Sequence, residues 1–481
     1  MNCLDKPNIH LFVACGKYYI YDVCNNVILK VTSECYRHIN KMMQSDKISV
    51  PEFRENQLVN QLMDEGFLKF QTVDTIIHPL SDKAEDLLNN DLHMLILQVT
   101  QNCNLRCKYC IYSGSYINRQ HNNKRMDFNT AQKAIDFYIL HSSQMNKLRF
   151  GFYGGEPVLE MDLIKRCVDY INKKAFGREI EYNLTTNATM LNTDIMEFLV
   201  QNNFYLTISL DGPENIQNKN RVFAGSDKGT FESVMQSVTE ITENYPDYMV
   251  NVHFNMVMNP EDGYKVSNDF FVQDKRVNRY YVTATEQNDV NYKENINKSE
   301  EYYINRAYEQ FKMIYSYFRG IKNGTSPLVE GYLTNIKKNI ADQLKKDASG
   351  YKIGHPGGPC VPGLQRLFAD VDGKFYPCER VNETSEIMQI GDVDAGINVS
   401  KVKELLNVGK ITEDSCKKCW AFRFCTSCAV YAEDGDKLSA QKRLSRCSSI
   451  KNSVEANLRE YCVLKELGFD FVELENDEVL V

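Results

Sequence analysis

Three cysteines, Cys103, Cys107 and Cys110, fall within the stretch QVTQNCNLRCKYC. Their C-x3-C-x2-C spacing puts three soft thiolate donors on one short loop, enough to wrap a single ion or a small inorganic cluster. A tetrahedral zinc site needs a fourth ligand. The next cysteine is Cys167 and the next histidine is His121, both well outside the loop. An iron–sulfur cluster with one iron left open fits three ligands better, because an open iron can bind a substrate. A second field lies downstream: Cys360, Cys378, then Cys416-x2-Cys419-x5-Cys425-x2-Cys428, then Cys447. The other six cysteines (Cys3, Cys15, Cys24, Cys35, Cys167, Cys462) are scattered and read as small buried apolar residues.

The first trio directly follows an apolar strand, LHMLILQVT. From Met94 onward such strands alternate with amphipathic helices, which means βα units and a parallel sheet. About six units fit between 94 and 300, so the expectation is a partial (β/α)6 TIM-like barrel, with chemistry at the C-terminal ends of its strands. Upstream, NIHLFVACGKYYIYDVCNNVILKVT reads as three short strands with turns at CGK and CNN. SECYRHINKMM reads as a helix with a Ser N-cap, and ENQLVNQLMDEGF as a second helix closed by Gly66. Residues 1–75 are therefore expected to form a winged-helix-like domain. The expected layout continues with a polar linker (76–92), the barrel (93–300), polar bridging helices (301–349), a cysteine-rich domain (350–450), and a C-terminal helix with an acidic tail (451–481).

Sixteen cysteines in 481 residues, without a basic segment leading an apolar run at the N-terminus, suggest a reducing, cytoplasmic setting with metal sites rather than disulfides. Net charge is −8, and residues 1–70 balance acidic and basic side chains. No basic face argues for nucleic acid, and no apolar run is long enough to span a membrane. A non-enzymatic winged-helix iron–sulfur sensor would need a basic recognition helix. The alternative use of the first domain is to bind a peptide along a strand edge.

C-x3-C-x-aromatic-C after a first barrel strand resembles the signature of radical S-adenosylmethionine (SAM) enzymes. GGEP (Gly154, Gly155, Glu156, Pro157) resembles their motif for the methionine amino group, with Glu156 an anionic acceptor. Tyr109 matches the aromatic near the adenine. TTNAT, with Thr186 and Asn187, and SLDG, with Ser209 and Asp211, match strand ends that contact ribose and methionine. Arg221 resembles the arginine that pairs with the SAM carboxylate, and Asp211 is by position a candidate catalytic acid or base. The resemblance covers roughly 94–260. It implies a [4Fe–4S] cluster on Cys103, Cys107 and Cys110 whose open iron takes SAM, yielding a 5′-deoxyadenosyl radical.

The downstream cysteines resemble the SPASM extension with two auxiliary [4Fe–4S] clusters, three clusters in all. One interval is x2 where x3 is usual, so the local register shifts by one residue at Cys428. Carried over, one cluster takes Cys416, Cys419, Cys425 and Cys447. The other takes Cys360, Cys378 and Cys428, with His355 or a substrate thiolate as fourth ligand. The first domain resembles a precursor-peptide recognition domain. Together the parts resemble maturases that install thioether links in a ribosomally made Cys-rich precursor bound through its leader, with electrons from a flavodoxin- or ferredoxin-type donor. The alternative is an oxidation like that of anaerobic sulfatase maturases, or another radical C–C-forming modification.

Overall fold

The computed structural model describes residues 3–4, 6–45, 47–70, 73–116, 119–287, 292–297, 299–321, 325–346, 352–356, 360–472 and 474. The expected acidic tail lies outside these residues except for Leu474.

The N-terminal strands are β1 (Ile9–Ala14), β2 (Lys17–Asp22) and β3 (Val27–Val31), an antiparallel sheet in chain order. Cys15 and Gly16 both take positive φ (47° and 70°), the conformation a two-residue hairpin turn demands. Helix α1 (Ser33–Met43) is capped one residue earlier than expected: the Thr32 hydroxyl, not Ser33, accepts from the Cys35 N–H. In α2 (Gln57–Asp64) the Asn56 side chain accepts from Leu58 and Val59, and Gly66 at φ 88° closes the helix as its spacing indicated.

The barrel strands are β4 (Leu95–Thr100), β5 (Lys147–Gly154), β6 (Glu179–Thr186), β7 (Tyr205–Ser209), β8 (Val252–Met258) and β9 (Val282–Glu286). All pair in parallel with their chain neighbours. Between them run α3 (Phe128–Leu140), α4 (Met161–Lys174), α5 (Thr193–Gln201), α6 (Glu214–Asn220), α7 (Phe231–Asn244) and α8 (Tyr264–Gln273), followed by α9 (Glu300–Arg319). Every residue of β4 is buried, as expected for a parallel strand covered on both faces. Side-chain caps set helix starts: Asp127 accepts from Thr130 N–H and Asn192 from Ile195 N–H.

The sheet does not stop at six strands. β10 (Leu367–Ala369) adds in parallel to the free edge of β4, pairing Leu367, Phe368 and Ala369 with Leu95, Ile96 and Leu97. β11 (Lys374–Tyr376), β12 (Gly391–Asp392) and β13 (Gly396–Ile397) continue it antiparallel, making ten strands.

Two compact units result, and they cut across the expected boundaries. One comprises residues 84–332 with 361–402; the other comprises 1–83, 333–360 and 403–480. The 350–450 region is thus shared between units rather than forming one domain. The 76–92 stretch is not a bare linker: Thr75–Ile76 pairs with Ile353–Gly354, and Ala84–Asn90 is helical. The first 75 residues are likewise not self-contained. Helix α10 (Cys447–Glu466) supplies Val454, Leu458 and Cys462 to a core with Phe12, Tyr19 and Tyr21 of the sheet, joined by Ala421 and Phe424. His10 stacks on Trp420, the sole tryptophan, with ring centroids 3.6 Å apart, and bonds Glu455 at 3.0 Å. Lys17, Lys30 and Tyr19 converge on Glu466. The three-stranded sheet is apolar on both faces: Ile9 and Ile20 pack against Cys35 and Ile39 of α1, and α10 covers the face of Phe12, Tyr19 and Tyr21.

Candidate active site

Every candidate of the first cysteine trio and the strand-end motifs sits at the C-terminal ends of β4 to β8, within one unit. GGEP leaves β5 and runs against the start of the cysteine loop. Gly155 N–H donates to the Thr100 carbonyl and Glu156 N–H to the Asn102 carbonyl, both at 2.9 Å. A Cβ on Gly154 would collide with the Thr100 carbonyl oxygen, and one on Gly155 with that of Asn102. Gly154 also sits at φ 145°, where side chains are disfavoured. The glycines thus admit the cysteine loop itself.

Glu156 is almost fully buried. Its carboxylate accepts from Val158 N–H (3.1 Å), the Thr186 hydroxyl (2.6 Å) and Asn187 N–H (2.8 Å). Burial raises its pKa, against the pull of those donors. Through these bonds Glu156 clamps GGEP to the TTNAT turn. In that turn Ala188 is held at φ 59°, a region costly for a residue with a Cβ, and its carbonyl accepts from Ser237. Asn187 reaches the cysteine loop: its amide donates to Asn104 Oδ1 at 2.8 Å and lies 4.0 Å from Cys103 Sγ. Asn104 in turn donates to the Thr189 hydroxyl at 2.9 Å.

Asp211 follows β7 and is fully buried. Arg221 addresses it as a fork, Nε to Oδ2 at 3.0 Å and Nη2 to Oδ1 at 3.2 Å. Asp211 also accepts from the Tyr109 hydroxyl and from Val257 N–H at 3.1 Å. Four donors on one carboxylate leave little of it for proton transfer, so the candidate acid or base is a structural hub joining the cysteine loop, β7 and β8. The Arg221 guanidinium carbon lies 5.4 Å from the Tyr109 ring centroid. Ser209 ends β7 and is buried.

The three cysteines are half-buried. Burial pushes the Cys103 and Cys107 thiols up to about 12, and the Cys110 thiol upward as well, with Arg221 pulling Cys107 and Cys110 the other way. Protons are therefore held unless a metal displaces them. Two sulfurs accept a backbone N–H from two residues on: Leu105 to Cys103 at 3.3 Å and Tyr112 to Cys110 at 3.5 Å. Such N–H···S bonds suit sulfurs that carry negative charge as cluster ligands. In the other unit burial pushes the Cys419 thiol up to about 11 and the Cys425 thiol upward, with the backbone N–H groups of Ala421 and Ser427 pulling the other way. Cys416 lies within electrostatic reach of Cys419 and Cys425, and Cys447 within reach of Cys425. The Thr412 hydroxyl lies 3.2 Å from Cys416 Sγ.

Cys360 and Cys428 fall in the cysteine-rich unit and Cys378 just after β11 in the barrel unit. His355 Nε2 accepts the Gly409 N–H at 2.8 Å, which makes it a structural histidine. Among the described residues no group of three or more His, Cys, Asp or Glu is close enough to hold one metal ion. No described helix is long and apolar enough to cross a membrane. An open cavity of about 530 Å³, lined by Pro213, Val266 and Phe270 among others, contains none of the candidate residues.

One cluster of buried polar side chains was not visible in the sequence. Tyr112 donates to Glu383 Oε1 at 2.5 Å, Gln98 donates to the same oxygen at 3.2 Å, and Arg119 Nε lies 2.6 Å from Oε2. It ties the cysteine loop to the segment after β11. No local pattern signals it, because its members come from 98 to 383.

Residues 97–265 match the Radical SAM superfamily model. The chain carries a radical SAM domain. It is closely related to the anaerobic sulfatase-maturating enzymes: the cysteine-type enzyme of Clostridium novyi is 26% identical over 79% of this chain and 98% of its own length. A radical SAM cyclopropyl synthase of Paramaledivibacter caminithermalis is 22% identical over 87% of each chain. An uncharacterized protein of Methanocaldococcus jannaschii is 44% identical over 120 residues, which spans 25% of this chain and 39% of that protein. Among solved structures, native anSMEcpe with bound AdoMet and a Cp18Cys peptide superposes with a TM-score of 0.51 at 19% identity, over 76% of this chain and 99% of that one. The last likeness establishes a shared fold.

Proposed function

We propose that the chain modifies a cysteine-containing peptide by joining a cysteine sulfur to a carbon of another residue. Cys103, Cys107 and Cys110 hold a [4Fe–4S] cluster; Cys416, Cys419, Cys425 and Cys447 hold an auxiliary one. The observation that carries the cluster assignment is the i+2 N–H···S bond at both Cys103 and Cys110. Held by Cys103, Cys107 and Cys110 and given one electron, such a cluster with SAM would supply methionine and a 5′-deoxyadenosyl radical, the species that would take one hydrogen atom from the substrate.

The chain's own residues order this site. Asp211 holds Tyr109 and Arg221 in place, and Asn187 and Asn104 fix the cysteine loop against the strand ends. Closing the C–S bond releases the thiol proton and one electron, and a cluster held by Cys416, Cys419, Cys425 and Cys447 would supply a one-electron acceptor. A flavodoxin- or ferredoxin-type donor supplies the electron for the next turnover. The peptide's leader is held by the N-terminal sheet, where β3 is an edge strand able to accept an extended partner.

The second reading is oxidation of one cysteine or serine side chain. It is favoured by the alignment to nearly the full length of a cysteine-type sulfatase-maturating enzyme. Mass spectrometry of a Cys-rich peptide co-expressed with this chain separates the two. A loss of two hydrogens per link, with one thiol no longer alkylatable, supports the thioether. An aldehyde supports the second reading, as sulfur replaced by oxygen with two further hydrogens lost from cysteine, or as two hydrogens lost from serine with every thiol still alkylatable; an unchanged peptide mass rejects both. Formation of 5′-deoxyadenosine by the reduced protein tests the radical chemistry separately.

A further inference from the structure

The two N–H···S bonds of the cysteine loop are held in different ways. Leu105, which donates to Cys103, is fixed through backbone: Arg106 N–H bonds the Val222 carbonyl and Ala224 N–H the Asn104 carbonyl, both at 2.8 Å. Tyr112, which donates to Cys110, is fixed largely through its side chain. Its hydroxyl donates to Glu383 Oε1 at 2.5 Å and accepts from Gln98 Nε2 at 2.7 Å. The Arg119 guanidinium carbon lies over its ring, 5.6 Å from the centroid, and its carbonyl accepts the His121 N–H at 3.0 Å. Glu383 is itself pinned, its carboxylate by Gln98 and Arg119 and its carbonyl by the Tyr376 hydroxyl of β11 at 2.6 Å. Gln98, Tyr112, Arg119 and Glu383 are all buried. A satisfied buried network rigidifies its members. The amide that meets Cys110 Sγ at 3.5 Å is thus placed by a carboxylate 271 positions further along the chain.

We propose that Glu383, acting through Tyr112, is a positioning residue that sets the reduction potential of the cluster held by Cys103, Cys107 and Cys110. The inference rests on that cluster assignment. An N–H dipole aimed at a ligand sulfur stabilises the extra negative charge of the reduced state, so a firmly held donor raises the potential. The charge of Glu383 acts the opposite way, since a nearby anion disfavours reduction, but Arg119 Nε at 2.6 Å offsets it. The two effects differ in sign. If the tether governs, cutting it lowers the potential; if the carboxylate charge governs, deleting it raises the potential.

A redox titration of the full-length, cluster-loaded protein tests this, followed by electron paramagnetic resonance at the signal that changes when SAM is added. Tyr112→Phe removes one hydroxyl and no charge. It should keep the iron content of wild type and shift the midpoint of that signal to a more negative potential. Glu383→Leu with Arg119→Met, which leaves net charge unchanged, should shift it the same way and leave signals indifferent to SAM where they were. Glu383→Gln with Arg119→Met keeps a carbonyl for the Tyr112 hydroxyl and should return the midpoint toward wild type. An unshifted or more positive midpoint in Tyr112→Phe overturns the proposal, as does a Gln/Met pair no closer to wild type than the Leu/Met pair. Loss of iron from Tyr112→Phe shows a merely structural role and overturns it too. Wild-type protein without a SAM-responsive signal overturns the cluster assignment, and this inference with it.

Discussion

At the scale of single residues, the site is organised by two buried carboxylates that serve as anchors. Removing the charge of Asp211 leaves Arg221 buried without its counter-ion, so Asp211→Asn should cost about 3–5 kcal/mol. Urea unfolding measures that loss, and the double variant Asp211→Leu with Arg221→Met should lose less than the single one. Glu156→Gln brings an amide donor against the Thr186 hydroxyl or the Asn187 N–H. It should cost about 1–3 kcal/mol for one unsatisfied donor and loosen the TTNAT turn. A third carboxylate behaves differently. Burial raises Asp370 to about 6 from an ordinary 3.8, although Asp372 and Lys374 donate backbone N–H groups to it. Between those two values the folded chain holds more protons than the unfolded one, so stability falls as pH rises through that window. Asp370→Asn should therefore unfold at higher temperature than wild type above pH 6, and at the same temperature as wild type at pH ~4; scanning calorimetry at both values checks the sign.

At the scale of elements, the strand–loop junctions matter more than the strands. The parallel order of β4 to β9 was legible because each strand is an apolar run between turn signals. The strand-end motifs were legible because they are contiguous. What those motifs do locally was not. GGEP looked like a ligand cradle, yet its glycines receive the carbonyls of Thr100 and Asn102. Gly155→Ala should accordingly displace the cysteine loop. Its signature is a large loss of iron and of the brown cluster absorption in purified protein, out of proportion to any change in helix content. β10 was not legible either. Three residues give no periodicity, and their partner, Leu95–Leu97, lies some 270 positions earlier. The α1 cap missed by one residue because Thr32 and Ser33 are both good caps and only geometry separates them.

At the scale of the whole molecule, the cysteines divide between units, and the two fields should fail independently. Cys103→Ala should abolish 5′-deoxyadenosine formation while leaving the iron of the other unit in place. Cys416→Ala should lower iron content yet leave SAM cleavage measurable. Iron quantification together with 5′-deoxyadenosine detection reads both outcomes, and loss of all iron from either variant would contradict separate sites. The sequence suggested domains laid end to end because it shows composition and local pattern. It does not show that one face of the sheet near the N-terminus stays uncovered until α10 arrives.

That interleaving has a consequence for how the chain is made. On the ribosome, β4 emerges long before Leu367–Ala369, and β1 to β3 wait for a helix that begins at Cys447. The barrel edge and one face of the first sheet must therefore remain open for most of synthesis, with their apolar surface exposed to misassociation. Nascent chains halted before residue 361 should bind a holdase chaperone. Release should come in two steps, one once β10 clears the exit tunnel and one once α10 does.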